Sequence, residues 1–163
     1  MSTRAAIYAG TFDPLTLGHM DLVERGADIF EKLVLAVAVS TPKATLFSVE
    51  ERIEMAREAC RNLHNVEIVT FDGLLVEFAR QKGVYVLLRG LRAYSDFEYE
   101  FQMALTNRKL APEVETFFMM PKETHSYVSS STVKQVAALG ADTSDFVPAI
   151  VVAALKRKFS GAA

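Results

Sequence analysis

Three groups of residues in this chain have the types and spacing to do chemistry on an anion. The first is Gly10-Thr11 with His19 nine positions on from Gly10 at the start of a helical pattern. Gly10 lacks a Cβ, so a phosphate could approach the backbone closely. Thr11 offers an amide and a hydroxyl, and His19 projects toward the same point as a donor when suitably protonated. Between them Asp13 can bond downstream backbone amides, and Pro14 fixes φ, which stiffens the loop. The second group is Arg89-Gly90-Leu91-Arg92, two guanidinium groups beside a glycine, each able to grip a phosphate in bidentate fashion. The third is Val128-Ser129-Ser130-Ser131, where hydroxyls meet a helix start and can either cap it or cradle a phosphate. Lys43 adds a mobile ammonium in a loop of its own.

The elements that must position these groups are legible from periodicity. Ala5 to Ala9 is an apolar pentad running into Gly10, and Leu22, Val23, Ala27 and Phe30 then fall at helical spacing. That is strand, tight loop, helix, a geometry that aims free N–H groups at an anion. Leu33–Val39 is apolar throughout, as a strand covered on both faces should be. Ser48 to Glu51 has capping-box spacing and opens a helix to about Arg61. Val66–Phe71 is a third strand, and Leu74–Lys82 a helix stopped by Gly83. Val84–Leu88 is the fourth strand, with Arg89 to Arg92 as the loop after it. Ser95 to Glu98 again has capping-box spacing, for a long helix to about Leu110. Phe97, Phe101 and Leu105 on that helix read as a core stripe. Thr116–Met120 is the fifth strand, followed by helices ending at Gly140 and running from Pro148 to about Phe159. This alternation predicts an α/β fold, a Rossmann-like five-stranded parallel sheet flanked by helices, as a single domain over residues 1–163. Ligands in such sheets sit beyond the carboxyl ends of the strands. The polar loops after all five strands, including Asp72-Gly73 after the third, are expected on one rim.

Composition narrows the class. With 163 residues, half of them hydrophobic, the chain can bury one good core. A net charge of −2 gives no electrostatic case for nucleic acid or a membrane surface as partner. One cysteine, Cys60, excludes an internal disulfide framework, fits a reducing compartment and reads as core packing. No signal peptide or membrane span is evident, so a cytoplasmic location is expected. His19, His64 and His125 show no metal-ligand spacing, so no protein-held metal is expected. Neither a Gly-x-Gly-x-x-Gly after the first strand nor a Walker motif appears, which disfavours NAD binding and P-loop hydrolysis.

Thr16-Leu17-Gly18-His19 resembles the T/H-x-G-H motif of the nucleotidyltransferase superfamily. The whole run Tyr8-Ala9-Gly10-Thr11-Phe12-Asp13-Pro14 through His19 is similar to the phosphopantetheine adenylyltransferase family, in which Thr at the first motif position is usual. Val128 to Lys134 resembles the second superfamily signature, I-S-S-T-x-x-R, with Val128, Ser131 and Lys134 replacing Ile, Thr and Arg. The resemblance spans nearly all of the chain. It implies adenylyl transfer from ATP to 4′-phosphopantetheine, giving 3′-dephospho-coenzyme A and pyrophosphate. By the same resemblance Thr11, Lys43, Leu75 and Arg89 contact the acceptor. Thr11, Phe12, His19, Gly90, Leu91, Arg92, Glu100, His125, Ser126, Tyr127, Val128, Ser129, Ser130 and Ser131 contact ATP. His19 stabilises the transition state, with Thr11, Lys43 and Arg92 as further catalytic donors. The resemblance further implies magnesium carried on the ATP phosphates, a homohexameric assembly and feedback inhibition by coenzyme A. Two positions depart from some relatives: His125 stands in place of tryptophan, and Ala44 in place of a second lysine. The alternatives are a nucleotidyltransferase with another phosphorylated acceptor, and a non-catalytic nucleotide or coenzyme A sensor.

Overall fold

The computed structural model describes residues 4–92 and 94–160, with the backbone alone at 94 and 95. Five parallel strands, β1 (Ala5–Gly10), β2 (Lys32–Ala38), β3 (Val66–Phe71), β4 (Val86–Gly90) and β5 (Glu115–Met119), lie in the order β3-β2-β1-β4-β5. The central strands are apolar on both faces because both faces are covered. Ala6, Tyr8, Leu33, Leu35, Val37 and Leu88 point to one side, under α1 (Leu17–Ile29), α2 (Val49–Ala59), α5 (Ser130–Ala138) and α6 (Ala149–Ser160). Ile7, Ala9, Val34, Ala36 and Leu87 point to the other, where α3 (Leu75–Lys82) packs Val76, Phe78 and Ala79 against them. The strand order reverses direction between β1 and β4. A cleft therefore opens at their carboxyl ends, the place such sheets leave for a ligand.

Local chemistry sets the element boundaries. Ser48 caps α2 with a reciprocal bond to Glu51, as its spacing predicts. Gly83 ends α3 at φ 65°, and Val84 N–H then closes on Ala79 O. That bond takes Val84 out of the strand expected to begin there. β4 starts two residues later and runs through Arg89 and Gly90, which pair with Phe118 and Met119 of β5. Arg89 and Gly90 are thus strand residues, not the loop expected from sequence.

The long helix α4 (Tyr94–Leu110) corrects a second expectation. Phe97, Phe101 and Leu105 are 47%, 45% and 49% exposed, so they form no core stripe. Tyr99 and Met103 are exposed as well. Apolar residues occur on all sides of this helix, and spacing alone cannot choose its buried face. The capping role expected of Ser95 lies outside the described side chains. Cys60 is buried against Met20 sulfur at 4.0 Å, and burial raises its thiol pKa to about 11, which keeps it inert. No described helix is long and apolar enough to cross a membrane.

Candidate active site

The loop from β1 to α1 is built around an edge-to-face aromatic cluster. Phe12 adopts φ 50°, in the left-handed region, and its ring folds back beneath Gly10. A Cβ at Gly10 would stand 2.9 Å from the ring, so the close approach that Gly10 permits is to Phe12. The same ring meets His19 edge-on at 5.1 Å and Tyr8 at 5.3 Å. Gly18 has a comparable duty, since a Cβ there would press on the His125 carbonyl at 3.3 Å.

His19 is the N3 residue of α1, and the N-cap is Thr16. Thr16 Oγ1 accepts the His19 amide at 3.2 Å, while Thr16 N–H donates to His19 Nδ1 at 3.0 Å. An Nδ1 that accepts a backbone N–H carries no proton of its own, so the proton sits on Nε2. Burial, with help from the Arg92 and Arg89 charges, pulls the His19 pKa down to about 3. The ring is therefore a neutral Nε2–H donor at physiological pH.

The cations around it differ in how far they are committed. Arg89 forms a bidentate pair with Glu100 at 2.8 and 2.7 Å and donates to Ala9 O at 2.6 Å. Burial alone would lower its pKa, but the Glu100 hydrogen bonds and charge outweigh that and raise it. Arg92 bonds Asp96 at 3.0 Å and Val128 O at 3.2 Å. Lys134 Nζ lies 2.7 Å from Asp13. The Lys43 ammonium is exposed and has no partner among the described residues.

Asp13 bonds downstream amides, as expected, but remote ones: Leu46 N–H and Phe47 N–H, both at 2.9 Å. Arg52 of α2, 2% exposed, donates to Thr11 O, Ala38 O and Phe47 O. Sequence reasoning passed over Arg52 and assigned no site role to Lys134. Arg52 did leave a signal, a charge on the same helical stripe as Val49, Met55 and Ala56.

These elements enclose a cavity of about 370 Å³. Of the residues expected at the site, Thr11, Phe12 and His19 line it, as do Lys43, Arg89, Gly90, Arg92, Glu100, Val128 and Ser130. Leu75, Leu91, His125, Ser126, Tyr127, Ser129 and Ser131 do not. Leu75 packs under the second face of the sheet, and Tyr127 is 70% exposed. Ser129 is the N-cap of α5, accepting from Thr132 N–H at 3.0 Å, whereas Ser130 Oγ donates to Pro14 O at 2.8 Å. His125 leaves a buried Nδ1 without a hydrogen-bond partner. Asp72 and Gly73 are also absent from the lining, which corrects the expected convergence of all five loops. The reason is topological. β3 is the outer strand, two places from β1 and so roughly 10 Å from the cleft.

The arrangement sets a neutral donor and several cations around a space the size of a small ligand, which suits a polyanion. Its two carboxylates, Asp13 and Glu100, are already held by Lys134 and Arg89. Among the described residues no three His, Cys, Asp or Glu side chains group to hold a metal.

The cytidylyltransferase-like family matches this chain over residues 7–136. The chain is 56% identical over 156 residues to the phosphopantetheine adenylyltransferase of Methylococcus capsulatus, covering 96% of each. It is 54% identical to the enzyme of that name from Xylella fastidiosa over 96% of this chain and 97% of the relative. For that of Caldanaerobacter subterraneus the identity is 51%, over 96% and 98%. A solved structure from Vibrio parahaemolyticus, provisionally assigned as a nicotinate-nucleotide adenylyltransferase, superposes with a TM-score of 0.70 over 94% of this chain and 91% of its own. At 15% identity that likeness speaks for the fold alone. Fold, cleft and sequence agree: the chain belongs to the cytidylyltransferase-like family and, within it, to the phosphopantetheine adenylyltransferases.

Proposed function

We propose that the cavity joins two phosphates, transferring the adenylyl group of ATP to 4′-phosphopantetheine and releasing pyrophosphate with 3′-dephospho-coenzyme A. The observation that carries this reading is His19, a neutral imidazole with its proton on Nε2, set among Lys43, Arg89 and Arg92 at the β1–β4 reversal. A phosphate monoester is largely dianionic near neutral pH, so the attacking oxygen needs no general base. Its lone pair forms the new bond to the α-phosphorus, the bond to the bridging oxygen breaks, and the electrons leave with pyrophosphate. Such a displacement asks for alignment and for stabilisation of spreading charge. His19 Nε2–H, Thr11, Lys43 and Arg92 supply donors for it.

The acceptor's phosphate fits the Thr11, Lys43 and Arg89 side, with Leu75 beyond the cavity toward the pantetheine arm. ATP fits the side of Phe12, His19, Gly90, Leu91, Arg92 and Glu100, with residues 125–131 at its outer end. Both carboxylates of the cavity have cationic partners, so Mg²⁺ enters on the triphosphate as part of the substrate. Coenzyme A shares the product's pantetheine arm and would compete for the same space. The exposed aromatic face of α4 supports a homo-oligomer, a homohexamer by family resemblance. The buried thiol of Cys60 fits a cytoplasmic setting. The test is a pyrophosphate-release assay with ATP and 4′-phosphopantetheine, nicotinamide mononucleotide or glycerol 3-phosphate. Turnover with the first alone is expected. Preference for another acceptor would overturn the substrate assignment, and silence with every acceptor would leave a sensor.

A further inference from the structure

Arg52 heads the residues of large volume that are fully buried, and its position is unusual for a charge. Its hydrogen bonds all go to backbone carbonyls: Nη1 to Thr11 O at 2.8 Å and Ala38 O at 2.9 Å, Nε to Phe47 O at 3.3 Å. Asp13 and Glu50 act on it only through space. An apolar side chain of similar length would fill the volume without the cost of burying a charge. What the guanidinium adds is direction, because a planar fork fixes the carbonyls it binds.

Those carbonyls are well placed to matter. Ala38 and Phe47 are the two ends of the loop that carries Lys43, and Thr11 belongs to the loop that opens beside it. Asp13 ties the same pair of loops from the other side, through Leu46 N–H and Phe47 N–H. We infer that Arg52 is a positioning residue that holds the Thr11 and Lys43 loops in one register, so that both meet a single phosphate. The inference rests on the proposed reading of the cavity as a site for phosphates.

The experiment uses the full-length Arg52→Met and Arg52→Lys proteins with inorganic phosphate, the single phosphate of the inference, as the probe. Thermal unfolding first establishes that each variant is folded. Phosphate affinity by calorimetry should fall at least tenfold in Arg52→Met and by less in Arg52→Lys. Backbone hydrogen exchange should quicken together over residues 9–13 and 39–47. In turnover, KM for 4′-phosphopantetheine should rise by a larger factor than kcat falls. A folded variant that binds phosphate within twofold of wild type overturns the inference, as does quickened exchange confined to α2. Should Arg52→Met fail to fold, Arg52→Lys decides by the same readouts. Phosphate affinity and exchange do not depend on which acceptor turns over, so a failed acceptor assay counts against the proposed reaction alone.

Discussion

Replacing His19 by alanine separates the part proposed for it in the reaction from its part in the fold. In the reaction it removes one preorganised donor, which typically costs about 10²–10³ in rate, or roughly 3–4 kcal/mol. In the fold it strips Thr16 N–H of its acceptor, at about 1–3 kcal/mol for a buried donor left unpaired. The two effects have different pH signatures. The His19 pKa is lowered from 6.5 to about 3 in the folded protein, so below pH 6.5 the unfolded chain binds a proton that the native state refuses. Stability from this group is therefore intact above pH 6.5 and declines as pH falls toward 3. Between pH 7 and pH 5 the loss is about 1–2 kcal/mol once solvent screening of a half-buried ring is allowed for. His19→Ala should be less stable than wild type at pH 7, with the gap narrowing at pH 5. Its kcat should fall by two to three orders of magnitude with little change in ATP affinity. Wild-type kcat should show no ionisation of this histidine between pH 5 and 8. Steady-state kinetics and urea unfolding across that range measure all of this. A kcat within a few-fold of wild type, a histidine titration near pH 6.5, or a gap that widens on acidification would refute the reasoning.

Three further outcomes test the site piece by piece. Lys43→Met should raise KM for 4′-phosphopantetheine about tenfold while the affinity for dephosphorylated pantetheine, read by calorimetry, stays put; equal losses for both ligands would mean Lys43 does not hold the phosphate. Glu100→Gln should cost about 1.5–3 kcal/mol in denaturant unfolding, because Arg89 loses the charged half of a bidentate pair, and an unchanged midpoint would show that the pair is not structural. Gly10→Ala should displace the Phe12 ring, since its Cβ would stand 2.9 Å away, and should lower kcat through His19; retention of full activity would separate Phe12 from the placement of the imidazole.

The frame of the fold was written plainly in the chain. β3 occupies Val66–Phe71 and stops at the Asp72-Gly73 break, as expected, and Ser48 caps α2 as its spacing with Glu51 demands. β4 slipped because Val84 is as apolar as its neighbours, and only the cap at Gly83 shows it serving the helix before it. α4 was misjudged for a related reason: three apolar residues on one line look like a core stripe until Tyr99 and Met103 are counted on the other sides. At the site, Thr11, Lys43, Arg89 and Arg92 could be nominated from their place at the expected strand ends, and His19 from its place at the start of the first helix. Arg52 left only the trace of a charge on an apolar helical stripe, because its partners are backbone carbonyls, which carry no side-chain signature. The proton position on His19 was equally hidden, since it depends on a backbone N–H three residues earlier.

Asp13 joins parts of the chain that are made far apart in time. Its two oxygens hold the amides of Leu46 and Phe47 and the ammonium of Lys134, 121 positions downstream. A nascent chain ending before Lys134 would already contain all five strands, yet the buried Asp13 carboxylate would hold its two amides without its cationic partner. The charge that balances this carboxylate therefore arrives late in synthesis, with α5.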